Sequence, residues 1–167
     1  MSLVMKRKSI REFKPEGITE EQITTLLKSG MQAPSAHNQQ PWEFIVIDDK
    51  EILNKMSKMS KGSWPLAQAP LAIVTMMRES DKSPRMIPQD LSAVTQNILL
   101  EAVNLGLGAV WIGVFPLEER LEFVSNILDI NGSVQPFSII AVGHPLKEKE
   151  MTYRYDENRV HRNGWKK

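Results

Sequence analysis

Two groups of residues in this chain have the types and spacing for chemistry. The first is the run Ala33 to Trp42, APSAHNQQPW, where Pro34 opens a turn and Ser35, Asn38, Gln39 and Gln40 supply hydroxyl and amide groups. The apolar run Phe44 to Ile47 follows directly, so a buried strand delivers a loop rich in donors and acceptors, as a flat hydrogen-bonding ring would need. The second is Arg7-Lys8-Ser9-Ile10-Arg11-Glu12-Phe13. Arg7, Ser9 and Arg11 alternate, so an extended segment puts them on one face, whereas a helix would spread them through about 200 degrees. A ligand could also be gripped from a helix end. Guanidinium groups beside a hydroxyl are what a phosphate and a polarised carbonyl require, because Arg offers paired donors and stays charged. Blander readings exist for both groups: a solvated basic start, and turn or capping roles for Ser35, Asn38 and Gln40.

Composition narrows the alternatives. At 167 residues, 41% apolar and 25% charged, the chain fits one globular domain that buries roughly two-thirds of its unfolded surface. Lys plus Arg is 21 against 20 for Asp plus Glu, so no global field favours nucleic acid or an anionic membrane. Cysteine is absent, which excludes disulfides, thiolate catalysis and sulfur-built zinc sites and makes the cytoplasm the expected compartment. The apolar runs are too short for the ~20 residues of a membrane helix, and the first residues carry charge where a signal peptide is apolar. His37, His144 and His161 are dispersed, so no metal site is expected. Acidic pairs such as Glu20-Glu21 and Asp48-Asp49 fall at element ends, where helix starts favour negative charge.

The elements that must position these residues alternate along the chain. Thr19-Glu20-Glu21-Gln22 has the form of a capping box, and Ile23, Leu26, Leu27 and Gly30 continue at helical spacing, predicting a helix over about 19 to 30 that Pro34 ends. A buried strand is expected at Glu43 to Ile47, a helix at about 49 to 60, and a loop through Gly62, Trp64 and Pro65. Pro70 to Met77 reads as a second apolar strand. Asp90 to Leu105 is the longest periodic helix, with Leu91, Val94, Ile98 and Ala102 on one face and Gly106 as its stop. A strand over Ala109 to Val114, a helix over about 117 to 128 and a strand over Pro136 to Val142 complete the series. Gly106-x-Gly108 follows a helix and precedes a strand, the reverse of a dinucleotide-binding turn. Residues 147 to 167 are charge-rich and aperiodic, yet carry Tyr153, Tyr155, Val160 and Trp165, which argues against a merely frayed tail.

The N-terminal segment and the APSAHNQQPW run, in this order and at this spacing, resemble the flavin-binding signature of the nitroreductase family, and VHRNGW resembles the family's closing pattern. The resemblance covers almost the whole chain. It implies an α+β fold, nitroreductase-like, with a mostly antiparallel central sheet packed between helices in an intertwined homodimer. Residues 1–167 would form one FMN-binding domain, with 147–167 a C-terminal arm onto the partner subunit. By the same resemblance Arg7 and Ser9 take the phosphate and ribityl end of FMN, Lys8 between them is also cofactor-binding, and Arg11 approaches N1 and O2 of the ring. Pro34, Ser35 and Ala36 face the flavin of the opposite subunit, Asn38 contacts the cofactor, Gln40 contacts it or braces the loop, and Trp42 belongs to the core. Ile112, Gly113 and Val114 place apolar side chains behind the ring and a backbone N–H near N5; many members have Glu in the place of Gly113. Arg159, or else Arg162, is implied as a second phosphate ligand.

The activity so implied is an FMN-dependent oxidoreductase. NADH or NADPH would reduce the flavin at N5, and a quinone, nitroaromatic or similar electron-poor small molecule would then take the electrons in a ping-pong sequence. The alternatives are a protein that stores or senses FMN with little turnover, and a non-flavin dimer acting as an interaction module. The polar stretch Arg78 to Arg85 leaves little chain for a covering helical excursion, so an open site is expected.

Overall fold

Four strands pair antiparallel throughout: β1 (Trp42–Ile47), β2 (Leu71–Arg78), β3 (Gly108–Gly113) and β4 (Val134–Gly143), in the order β1-β2-β4-β3. This is a computed structural model, and it describes residues 2–147, 150 and 152–165. Positions 148, 149, 151, 166 and 167, part of the expected arm, lie outside the described residues. Register brings Ile45 opposite Val74, Val74 opposite Ile139 and Ile139 opposite Ile112.

The helices are α1 (Leu3–Lys6), α2 (Glu20–Met31), α3 (Lys50–Met56), α4 (Ile87–Asn104) and α5 (Glu118–Leu128). They cover both faces of the sheet. Leu71, Ile73, Ile140 and Val142 pack against Leu26 of α2 and Leu91, Val94 and Ile98 of α4. Ala72, Val74, Ile139 and Ala141 pack against Leu53 and Met56 of α3 and Val124 of α5. Burial from both sides is why β2 and β4 read as continuous apolar runs, without the alternation of a half-solvated strand. The fold is thus the expected α+β sheet between helices.

Local signals explain most boundaries. The Thr19 capping box forms, with Gln22 N–H donating to the Thr19 hydroxyl and Thr19 N–H to Gln22 Oε1. Asp49 caps α3 by accepting from the N–H groups of Glu51 and Ile52. That helix stops at Met56, short of the expected 60, and the expected loop through Gly62 and Pro65 is a 3-10 stretch, Lys61–Ala67. Gly106, at φ +72, ends α4 as expected.

The N-terminal segment beyond α1 is extended and lies along the outer edge of the sheet. Ser9 bridges Ala109 in parallel, Phe13 bridges Pro145, and the Ile10 N–H donates to the Ala109 carbonyl at 3.0 Å. Glycines make room for it. Gly108 and Gly143 lie opposite each other, and a Cβ on Gly108 would come to 2.6 Å from Ile10, one on Gly143 to 2.7 Å from Phe13. Ile10 and Phe13 are buried there, which anchors the basic residues between and beside them.

The described residues 152–165 add one 3-10 turn, Glu157–Arg159, and join neither core. Tyr153, Tyr155 and Trp165 are 72%, 83% and 78% exposed. Among the described residues no helix is long and apolar enough to cross a membrane.

Candidate functional site

The open part of the β3 edge carries unpaired backbone groups beside a basic cavity. In an antiparallel strand, residues two apart turn their N–H and C=O the same way. The Ala109 carbonyl faces Ile10 and not β4, so Trp111 and Gly113 also direct their backbone groups to the outer edge. The N-terminal segment covers that edge at Ala109 and leaves it open from Trp111 on. Arg120, from the first turn of α5, donates from Nη1 to the Gly113 carbonyl at 2.8 Å. The Gly113 N–H is left facing outward, and a Cβ there would meet nothing within 4 Å.

A cavity of about 290 Å³ opens at this edge, lined among others by Arg11, Ser60, Lys61, Trp111, Gly113 and Arg120. Three cations and no carboxylate line it. The side chains of Arg11 and Lys61 have no ion pair or hydrogen bond among the described residues. The Arg120 Nε is buried with no partner there. Such a cavity is short of acceptors and suits a ligand rich in them.

The expected residues fall around it unevenly. Ile112 lines the cavity, although most of its side chain is buried in the core with α3 and α5. Val114 has a wholly buried side chain, and its N–H donates to the Phe137 carbonyl at 3.2 Å. Of the pair expected to present an amide, Gly113 alone does so. Arg7 and Lys8 line a different cleft, about 410 Å³, with Met5, Gln96, Tyr153 and Tyr155. The tail cation that lines this cleft is Arg154, whereas Arg159 pairs with Asp156 at 3.2 Å and its side chain is 84% exposed.

The 34–40 loop is built from within the chain. Asp90, in the first turn of α4 and 5% exposed, accepts from the Ala36 N–H at 3.0 Å and from Gln39 Nε2 at 2.7 Å. Gln39 also donates to the Ser83 carbonyl and accepts from the Ser83 N–H. The Ser35 hydroxyl accepts from the Gln40 N–H at 3.0 Å. This bracing holds three non-glycine residues in the left-handed region: His37 at φ 50, Asn38 at φ 49 and Gln40 at φ 48. His and Asn tolerate that region better than Gln does, and strain of this kind gathers at ligand clamps. Pro34, Asn38 and Gln40 are exposed and Ser35 and Ala36 half-buried. The brace is therefore Gln39, and the Gln40 side chain only donates to Asn38 Oδ1 at 3.2 Å. Trp42 is in the core as expected.

Five cavities among the described residues, of about 220 to 590 Å³, each lack either the loop or the basic residues. The largest, about 590 Å³ between α5 and the ends of β2 and β4, holds none of the expected loop or basic site residues. Its Arg78 is paired with Glu43 at 3.6 Å, so the chemistry is better sought at the β3 edge. Among the described residues no group of three or more His, Asp or Glu could hold a metal.

Sequence reasoning missed Gln39, Lys61, Asp90 and Arg120. Arg120 carried a legible signal: a cation in the first turn of a helix, beside Glu118 and Glu119, sits where the helix dipole disfavours it. Gln39 and Gln40 are alike in sequence, and only the tertiary partner distinguishes them.

Comparison with known proteins gives one consistent result. Residues 4–83 and 66–144 match the model of the nitroreductase family. A protein of Archaeoglobus fulgidus, provisionally named NADH dehydrogenase/NAD(P)H nitroreductase, is 41% identical over 99% of this chain and 98% of its own length. The crystal structure of a protein of Clostridium acetobutylicum, provisionally named NADH oxidase, superposes with a TM-score of 0.94 at 42% identity, covering 98% of this chain and 100% of that one. An FMN-dependent nitroreductase of Clostridium difficile R20291 superposes with a TM-score of 0.91 at 31% identity, covering 98% and 99%.

Proposed function

This chain belongs to the nitroreductase family, whose chemistry is FMN-dependent oxidoreduction with NAD(P)H, and we propose that it acts as a homodimer passing electrons from NADH or NADPH to a quinone, nitroaromatic or similar acceptor. The observation that carries this reading is the carboxylate-free basic cavity at the open edge of β3, with an outward Gly113 N–H. FMN fits that donor set: its phosphate is anionic, the rim of its ring is rich in acceptors, and one end of the ring is apolar.

When bound, FMN supplies the redox chemistry, accepting two electrons from NAD(P)H and yielding them to the acceptor. The chain supplies the rest. Arg7, Lys8 and Ser9 would hold the phosphate end, and Arg11 and Lys61 would set positive charge beside the ring, where it favours the more negative reduced form. The Gly113 N–H would donate to a ring acceptor, and Trp111 and Ile112 would limit water on the side next to the core.

A dimer follows from the separation of the two groups. Pro34, Ser35, Ala36 and Asn38 share none of the cavities described above with Arg11, Lys61 and Arg120 of their own chain, so the loop of a second copy would complete the site. The arm 147–167, with its exposed aromatics, would wrap that second copy. A cavity near 290 Å³ is at the floor of the ~300–1,000 Å³ usual for ligand pockets, as half of a site would be. We place the protein in the cytoplasm on its cysteine-free composition.

The test is a visible spectrum of the purified protein, followed by anaerobic NADH or NADPH and then an acceptor. A yellow protein that bleaches with NAD(P)H and recovers colour with a quinone or nitroaromatic is expected, with parallel double-reciprocal lines for the ping-pong order. A protein that stays colourless after FMN is added contradicts the reading.

A further inference from the structure

We propose that Arg120 is a further residue of this site: held to the Gly113 carbonyl beside the outward Gly113 N–H, it sets a positive charge there that favours the reduced cofactor. This rests on the FMN-binding reading above and adds to it a residue outside both sequence motifs.

Three independent features of Arg120 point the same way. First, the peptide unit joining Gly113 to Val114 is held at both ends, its carbonyl by Arg120 Nη1 at 2.8 Å and its N–H by the Phe137 carbonyl at 3.2 Å. Glycine has the widest backbone freedom of any residue, and Gly113 has open space where a side chain would be. Arg120 holds the peptide that follows Gly113, while the Gly113 N–H, in the preceding peptide, is set by the β3–β4 ladder, so this bond fixes where the guanidinium stands relative to that N–H. Second, Arg120 is a cation in the first turn of α5, which the helix dipole opposes. Third, its Nε is buried without a partner, which is costly unless a ligand or water answers it.

The bond to Gly113 uses one guanidinium nitrogen and leaves the unfavourable helix position and the unpartnered Nε unanswered within the described residues, and such broken local rules gather at functional sites. Arg120 lines the same cavity as Arg11 and Lys61, with no carboxylate among the lining residues to neutralise it. Reduction of a flavin adds negative charge to its ring, so a guanidinium held there binds the reduced form more tightly. A purely structural Arg120, tying α5 to β3, would change stability and leave that preference untouched.

The experiment uses the FMN-loaded protein and three variants. Arg120→Gln and Arg120→Met remove the charge, the second keeping the apolar stem; Arg120→Lys keeps it. Midpoint potentials are read by equilibration with a reference dye, and melting temperatures alongside. The neutral variants should lose about tenfold in preference for reduced over oxidised FMN, a midpoint lower by about 30 mV for a two-electron couple, and Arg120→Lys should recover at least half of that. Midpoints for Arg120→Gln and Arg120→Met equal to the wild type would overturn the proposal, whatever the melting temperatures do. A wild-type chain that takes up no FMN would overturn the underlying reading instead, and this inference with it.

Discussion

The 34–40 loop and the basic rim of β3 are both polar, but the chain holds them in opposite ways. In the loop, Asp90 and Ser83 engage Ala36 and Gln39, and Ser35 engages Gln40. Its shape is fixed before any ligand arrives, and three left-handed residues are the cost of that shape. At the rim, Arg11 and Lys61 have no partners among the described residues and Arg120 has a buried nitrogen to spare. Donors kept free in this way stabilise nothing in the folded chain and are available to a ligand. One region is therefore a preformed surface and the other a set of waiting charges. Damage to the first should show in stability as well as binding, damage to the second in binding alone.

Asp90→Ala should have the largest effect and the broadest. It removes the charged acceptor of the Ala36 N–H and of Gln39 Nε2, and at about 1–3 kcal/mol for each the FMN-free protein should lose about 2–6 kcal/mol in urea denaturation. Unchanged stability would mean that the loop is not braced by α4, and the comparison would fail at its first term. Arg7→Ala comes next. It should weaken FMN binding by about 1.5–3 kcal/mol, the range for a hydrogen bond to a charged group, with riboflavin affinity and urea stability little changed. Equal losses for FMN and riboflavin would take Arg7 away from the phosphate.

The third effect, similar in size to the second, is the most specific. Arg11→Ala should lower the flavin midpoint by roughly 30 to 60 mV, from about 1.5–3 kcal/mol of preference for the reduced form at about 30 mV per 1.4 kcal/mol. Arg7→Ala should leave the midpoint nearly unchanged. Dye equilibration of both variants separates ring from phosphate, and equal midpoints for wild type and Arg11→Ala would remove Arg11 from the ring.

The same division governs what could be read before the structure. Strands buried on both faces announce themselves as apolar runs, and capping at Thr19 is a local rule, so sheet and helices were legible within a few residues. The alternation of Arg7, Ser9 and Arg11 left an extended segment and a helix both open, and the tertiary notch at Gly108 and Gly143 is what accommodates the extended form. What was not legible depends on tertiary partners. Asp90 looks like an ordinary acid in a helix's first turn until Gln39 is found against it, 51 positions away in sequence. Val114 resembles Gly113 as a strand end, but strand alternation turns its N–H inward, where the β3–β4 register continues onto the Phe137 carbonyl. The end of α3 at Met56 was missed because nothing in residues 57–60 forbids a helix.

The central claim is that the loop of one copy and the basic rim of another make a single FMN site. Co-expression of differently tagged chains, one with Arg7→Ala and Arg11→Ala and the other with Ser35→Ala and Asn38→Ala, isolates a mixed dimer whose bound FMN can be counted. If the site is shared between copies, both defects fall in one site and the other is intact, so the mixed dimer should hold FMN at wild-type affinity in one site while each parent dimer has none intact. A mixed dimer with no site of wild-type affinity would place rim and loop of each site in the same chain and contradict the account.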